Sequence, residues 1–291
     1  MSYIENIEMF ENFCCGDYIR GMNELESNEV RLIPEDMDVG GGHMKIHEID
    51  KLKDYPNADI VTISGLNQEG FEYFIKNYGK QFKIIQFFKN KKVEDWSLLS
   101  TLPELEFLYY FFNQRIECLW DMTPNKKLKG IVLRDFSRLK TLKGIEKAEN
   151  LEYFSLGNAV WDKWEIDSYR YFADTNVRYL HFGGKKILDR DPTYLVSMKK
   201  LEKIKHVMHG FTKEQFAWVK ANAVNSLDIG AYLHNWTDYG VDEPYFVVQY
   251  PWKGQRTYKL KNNEQRYERE VEQFNALVEQ LRGVPYEALG I

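Results

Sequence analysis

The chain has 291 residues, of which 44 % are hydrophobic, 15 % aromatic and 29 % charged, a balance that excludes intrinsic disorder as the default state. Its formal net charge of −5 argues against a generic nucleic-acid binder, which carries a basic excess to displace counterions from phosphates. The cysteines Cys14, Cys15 and Cys118 have neither zinc-site nor disulfide-framework spacing, which predicts reduced thiols. The N-terminal MSYIENIEMFENF lacks a basic n-region, and no run approaches the roughly 18 apolar residues of a membrane span. Together these features predict a cytoplasmic protein with neither membrane nor nucleic acid as partner.

Residues 1–57 read as an N-terminal cap. Ile4, Ile7, Met9, Phe10 and Phe13 form a helical stripe, and Val30 to Ile33 is a short strand candidate ending at Pro34. Gly40, Gly41 and Gly42 read as a plain turn, because no P-loop Lys-Ser/Thr follows them. Ile46, Ile49, Leu52 and Tyr55 precede Ala58 at three-residue intervals. The same offsets recur as Val93, Trp96, Leu99 and Leu102 before Leu105, and as Leu139, Leu142, Ile145 and Ala148 before Leu151. The cap is therefore expected to end in the return half of a repeat whose own strand is missing or degenerate.

Leu105 to Asn113, LEFLYYFFN, fits the strand pattern L-x-x-L-x-L-x-x-N, and FKIIQFFKN from Phe82 fits it again 23 residues earlier. Eight such segments open at Ala58, Phe82, Leu105, Leu128, Leu151, Val177, Leu201 and Val224, with steps of 24, 23, 23, 23, 26, 24 and 23. Their fourth slots hold Val61, Ile85, Leu108, Ile131, Phe154, Leu180, Ile204 and Leu227. The sixth hold Ile63, Phe87, Tyr110, Leu133, Leu156, Phe182, His206 and Ile229, with only His206 breaking the apolar rule. Second-slot charges alternate strictly from Asp59 through Lys83, Glu106, Lys129, Glu152 and Arg178 to Glu202, which reads as a register device.

Over roughly residues 46 to 231 this array resembles the leucine-rich repeat family, closest to its short bacterial-type repeats of about 22 to 24 residues. The resemblance implies an α/β solenoid, a right-handed horseshoe with a parallel sheet on its concave face, closed by caps at both ends. Asn90 and Asn113 keep the family asparagine, which bonds backbone between coils. The same slot elsewhere holds Leu66, Phe136, Ala159, Lys185 and His209, so packing is expected to replace an asparagine ladder there. Residues 58–231 form the expected solenoid of about eight repeats, with Glu69–Tyr78 and Thr212–Ala221 as helical returns and Thr212 and Gln215 in a capping box. Residues 232–291 form the expected C-terminal cap: strands at Tyr245–Tyr250 and Thr257–Leu260 around a turn at Pro251–Gly254, then a helix from about Asn263 to Arg282.

Alternation along a strand sends its third, fifth and seventh slots to the solvent face. On the repeats from Phe82 to Val177 those slots gather Phe88, Phe107, Tyr109, Phe111, Val132, Arg134, Tyr153 and Tyr179, followed by His181, Lys203 and Lys205. The flanking segments are long enough to cover this patch from within. Left uncovered, it predicts a surface for a partner protein with an acidic or amphipathic face. Neither His43 with His47 nor His206 with His209 has the further ligands of a metal site, no nucleophile or phosphate-binding motif stands out, and Cys118 is expected to be buried on a turn. The expectation is a non-enzymatic protein-interaction module without cofactor or metal. An immunity or antitoxin protein and a carbohydrate binder are the alternatives.

Overall fold

A computed structural model describes residues 4, 6–15, 28–37, 40–157, 165–183, 185–205, 208–209, 211–229, 232–236, 245–250, 254–259 and 264–291. Helix α1 (Ile7–Cys15) comes first, capped by Asn6, whose Oδ1 accepts from the Met9 amide at 2.9 Å. Eight parallel strands then form one sheet in the order β1 (Glu29–Leu32), β2 (Ile60–Ser64), β3 (Ile84–Phe88), β4 (Phe107–Asn113), β5 (Gly130–Phe136), β6 (Tyr153–Gly157), β8 (Tyr179–Gly183) and β10 (Lys203–Lys205). A second parallel sheet of β7 (Glu165–Ile166), β9 (Lys185–Ile187) and β11 (Met208–His209) runs along the coils that follow β6, β8 and β10.

The register reproduces the sequence columns. Third-slot residues Ile60, Ile84, Phe107, Gly130, Tyr153, Tyr179 and Lys203 pair strand to strand without a slip. A one-residue slip would send the whole apolar set to the other face, so the pattern itself enforces this pairing. The eighth expected strand is reduced to one bridge between Lys203 and Asp228. At the other end β1 pairs with β2 through Val30 and Val61, so the strand expected to be missing is present, displaced upstream by the loop at Glu35–Gly42. Gly41 of this loop packs against the carboxyl ends of β2 and β3: it lies at φ +103 with no room for a Cβ, which would meet the Lys89 carbonyl oxygen at 2.3 Å, and its own carbonyl accepts from Ser64 Oγ at 3.1 Å.

Fourth- and sixth-slot side chains face the main core, where Val61, Ile85, Leu108, Tyr110, Ile131, Phe154, Leu180 and Ile204 are buried together with the return residues Leu99, Leu102, Leu142 and Ile145. Between coils the asparagines act as expected. Asn90 Oδ1 accepts from the Leu66 amide at 2.7 Å, and its Nδ2 donates to the Ile63 carbonyl at 2.9 Å. Asn113 donates to Val93 O at 2.8 Å and accepts from the Arg115 and Ile116 amides. Where the slot holds Phe136, the ring packs 5.2 Å from Tyr110 and 5.7 Å from Trp96 instead. The charge ladder closes Asp59 to Lys83 at 3.4 Å, and seats Arg178 between Glu152 at 3.3 Å and Glu202 at 2.7 Å. The hydrogen bonds that the Arg178 guanidinium donates to Glu202, and then to Glu152, raise its affinity for its proton. Cys118, expected to be buried, is exposed, because Ile116 and Leu119 take the inward positions of its turn.

Of the helical returns, α2 (Gln68–Asn77) and α3 (Lys213–Asn222) match expectation. The capping box of α3 is formed by Thr212 Oγ1 accepting from the Gln215 amide and Gln215 Oε1 from the Thr212 amide. The C-terminal segment contributes an antiparallel sheet, β12 (Tyr232–Trp236), β13 (Tyr245–Tyr250) and β14 (Gly254–Lys259), and helix α4 (Glu264–Gln280). Helix α4 and its exit cover α3. The Trp218 indole donates to Val284 O at 2.7 Å, Gln215 Nε2 to the Tyr286 hydroxyl at 2.6 Å, and Asn222 Nδ2 to Leu281 O at 3.0 Å. The turn residues Pro251 to Lys253, His206 and the side chain of Phe13 lie outside the described residues.

Candidate binding site on the outer face of the sheet

The sheet face turned away from the main core carries a second apolar cluster, made of Ile60, Ile84, Phe107, Tyr109, Val132, Tyr153 and Tyr179. It is not open. Ile4 and Phe10 close over it, with Ile7 and Met9 packed at the edge. Phe10 is fully buried, stacked on Tyr153 at 5.0 Å and edge-on to Tyr179 at 5.5 Å. Gly130 makes the space: a Cβ there would meet the Phe107 ring at 2.4 Å and the Phe10 ring at 3.2 Å. One residue on, Glu11 reaches Lys203 at 2.8 Å, while Asp228 approaches the same ammonium at 3.6 Å. Burial alone would lower the Lys203 pKa, but the two carboxylates outweigh it and the net shift is upward.

Of the residues expected to face a partner, Phe107, Tyr109, Val132, Tyr153 and Tyr179 are thus buried beneath α1, and the exposure predicted for them is corrected. The physical reason is their own apolarity: an uncovered patch of this size is expensive in water, and the amphipathic N-terminal segment is the nearest cover. His181 is buried as well, with Nδ1 2.9 Å from Ser155 Oγ. Lys203 is half-buried in its ion pairs, and the Lys205 side chain lies outside the described residues.

Phe88, Phe111 and Arg134, the seventh-slot residues of β3, β4 and β5, remain partly exposed at the carboxyl ends of their strands. Phe88 stacks on Phe111 at 5.4 Å, Phe111 lies 6.1 Å from Phe112, and Arg134 is in register beside Phe111. Lys89 Nζ sits 5.2 Å from the Phe88 ring centroid, within cation–π range. At this rim Lys89, Phe112 and Asp135 all take left-handed backbone, with φ of +56, +67 and +56. They occupy the same slot of three consecutive coils, and Gly65, at φ +76, begins the series. Left-handed backbone costs an L-residue about 1 kcal/mol or more, and a bulky side chain such as Phe112 is rare there. Holding a Phe at a position suited to glycine is the kind of local cost that accumulates at functional sites.

No protein-family model and no curated protein matches the chain. Among solved structures it is similar to TLR13 in its complex with ssRNA13, at 15 % identity and a TM-score of 0.45, over 59 % of this chain and 24 % of that one. It is also similar to the internalin InlF of Listeria monocytogenes, at 16 % identity and a TM-score of 0.47, over 66 % of this chain and 52 % of that one. The chain therefore spans about half or less of the length of these neighbours. The fold is a leucine-rich repeat solenoid.

Two members of the rim, Lys89 and Phe112, were not among the sequence candidates. The columns place them in the eighth slot, which strict alternation would send inward, and left-handed backbone is what brings that slot into the outer rim. Phe10 was legible in the helical stripe, and the N-terminal segment as one of two candidate covers of the sheet, whereas Glu11 was not singled out. Elsewhere, Ile46 and the α2 side chains Gln68, Glu72, Tyr73 and Lys76 line a groove of about 490 Å³. Beneath it Asp50 accepts hydrogen bonds from the hydroxyls of Tyr78 at 2.6 Å and Tyr73 at 2.8 Å, which lower the carboxyl pKa and raise that of Tyr78 to about 12. Among the described residues no three or more His, Cys, Asp or Glu side chains gather to hold a metal ion, and no helix is long and apolar enough to cross a membrane.

Proposed function

We propose that this solenoid is a non-enzymatic binding module that holds a partner protein against the outer face of its sheet, with first contact at the rim formed by Phe88, Lys89, Phe111, Phe112 and Arg134. The observation that carries this reading is the rim itself, in which three half-buried phenylalanines and two cations meet, with Lys89 and Phe112 on left-handed backbone. Aromatic and arginine side chains dominate binding energy at protein interfaces, and a cationic aromatic surface suits an acidic or amphipathic partner.

The test compares capture by wild type, by Phe112→Gly, by Arg134→Ala and by a Glu72→Ala/Lys76→Ala control on α2. Phe112→Gly removes the ring while relieving about 1 kcal/mol of left-handed strain, which offsets the freedom glycine adds to the unfolded chain, and an unchanged urea midpoint separates a loss of binding from misfolding. A partner protein captured by wild type and the control, but at least five-fold more weakly by both rim variants, supports the reading; equal capture by all four refutes it. A fluorescence arm with a single-stranded RNA probe is included, since stacked aromatics beside cations also suit unpaired bases. RNA binding that is lost with the rim, in the absence of a protein partner, overturns the assignment of partner class.

A further inference from the structure

We infer that α1 is a displaceable occupant of the outer face, and that its seat takes an amphipathic helix from a partner protein with an aromatic anchor followed directly by a carboxylate. This inference deepens the proposed function and rests on the outer face being the docking side.

The seat is surplus to the solenoid. Coils close their core with fourth- and sixth-slot residues, whereas Ile60, Ile84, Phe107, Tyr109, Val132, Tyr153 and Tyr179 stand on the opposite face in a cluster of their own. It is also shaped. The third-slot column is large and apolar from Ile60 to Tyr179 except at Gly130, and that gap admits Phe10. Lys203, one strand beyond Tyr179, supplies the charge that meets Glu11 at 2.8 Å. The seat thus reads an aromatic ring and a neighbouring acid, with Ile4 and Ile7 at three-residue spacings before the ring. This is helix-in-groove recognition, in which specificity lies in the anchors along one helical face.

Among the described side chains the N-terminal segment holds its place with few anchors, the buried Ile4 and Phe10 and the Glu11 ion pair. Helix α1 has nine residues, shorter than the roughly 12 to 15 at which isolated helices become even marginally stable, so its helicity depends on being seated. Residues 16–27 separate it from Asn28 and β1 along the chain, a contour length of at most about 40 Å. A tether of this kind presents α1 at an effective concentration on the order of millimolar. A partner helix therefore competes with a built-in ligand, and its apparent affinity falls in proportion to the occupancy of α1.

The chain's own helix is the probe. A fluorescein-labelled peptide of residues 1–15, with C14S and C15S, is titrated by anisotropy against wild-type protein and full-length Phe10→Ala/Glu11→Gln. The expected result is at least tenfold tighter binding to the variant than to wild type, weakening with salt, and loss of binding when the peptide itself carries Phe10→Ala. Equal binding to both proteins, or none to a folded variant, overturns the inference. A variant that dimerises in light scattering as its own α1 is weakened would assign the seat to a second copy and overturn the partner-helix version. Should the variant not fold, hydrogen exchange on wild type decides: amides of residues 10–15 opening well before those of β3 to β5 support displacement, and exchange only with global unfolding refutes it. None of these readouts uses Phe112 or Arg134, so their failure is separable from failure of the rim.

Discussion

Replacing Asn113 with Ala tests whether single buried amides fasten these coils. Its side chain is fully buried. Nδ2 donates to Val93 O at 2.8 Å, to Asn90 O at 3.2 Å and to the Tyr110 hydroxyl at 3.1 Å, and Oδ1 accepts from the amides of Arg115 at 2.9 Å and Ile116 at 2.8 Å. Tyr110 keeps its own bond to Asn90 O at 2.8 Å, so its hydroxyl is not stranded. The Ile116 amide and the Val93 carbonyl are, and each buried unsatisfied group costs about 1–3 kcal/mol. The expected loss is about 3 kcal/mol or more, read from urea unfolding followed by tryptophan fluorescence, with Trp96 and Trp120 packed 4.9 Å apart in neighbouring coils as local reporters. Asn113→Asp sharpens the test. It keeps the acceptor for the two amides but turns an anionic oxygen toward two carbonyls, so its folded-state pKa is raised and its stability recovers as the pH falls and the protonated acid regains a donor. A loss below about 1 kcal/mol for the alanine variant, with an unchanged m-value, would refute the reasoning.

Gly65→Ala is expected to cost about 2 kcal/mol or more, because a left-handed φ of +76 is compounded by contacts of the new Cβ at 2.8 Å with Gly41 O and 2.9 Å with Pro34 Cγ. Lys89→Gly, at the same slot of the next coil, relieves strain while loosening the unfolded chain, and its unfolding free energy from urea titration is expected to stay within about 0.5 kcal/mol of wild type. For the Asp50 network the signs oppose at the two ends of the pH scale. Asp50 is depressed, so its contribution is present above the ordinary carboxylate range and lost as pH falls through the lowered value. Tyr78 is raised to about 12, so its contribution is present below the ordinary 10.0 and lost as pH rises through the raised value. The difference in Tm between wild type and Asp50→Asn is therefore expected to be widest between those limits and to close at both. In the variant the phenols of both Tyr73 and Tyr78 titrate nearer 10.0 by ultraviolet absorbance, and an unchanged tyrosine titration would refute the network.

The solenoid was legible because its constraint repeats. Each coil must bury the same slots against its neighbours, so the column from Ile60 to Lys203 could be read from spacing alone and recurs as the observed register. Strand β1 escaped the period because Val30 stands 31 residues before Val61, a step lengthened by the loop whose Gly41 packs against Lys89. Strands β7, β9 and β11 have two or three residues each, too few for alternation to register. The rim was half legible: Phe88, Phe111 and Arg134 follow from alternation, whereas Lys89, Phe112 and Asp135 depend on left-handed backbone at which only the glycines of their column, Gly65 and Gly184, hint in the sequence. The outer cluster was legible as excess apolarity, but excess alone says that a surface must be covered and not by what.

That distinction sets the size of contact available to a partner. A stable interface buries about 800 Å² on each side. A fully buried aromatic side chain contributes about 150–250 Å², and Phe88, Phe111 and Phe112 are already half-covered. The rim with α1 in place therefore supplies well under a standard interface and suits a weak or initial encounter. A contact of standard size has to extend over Phe107, Tyr109, Tyr153 and Tyr179, the residues on which Phe10 rests. Under the proposed function, rim and seat act in sequence: the cations and rings of β3 to β5 bring a partner to the sheet, and its hold beyond that point is set by how readily Phe10 leaves the space opposite Gly130.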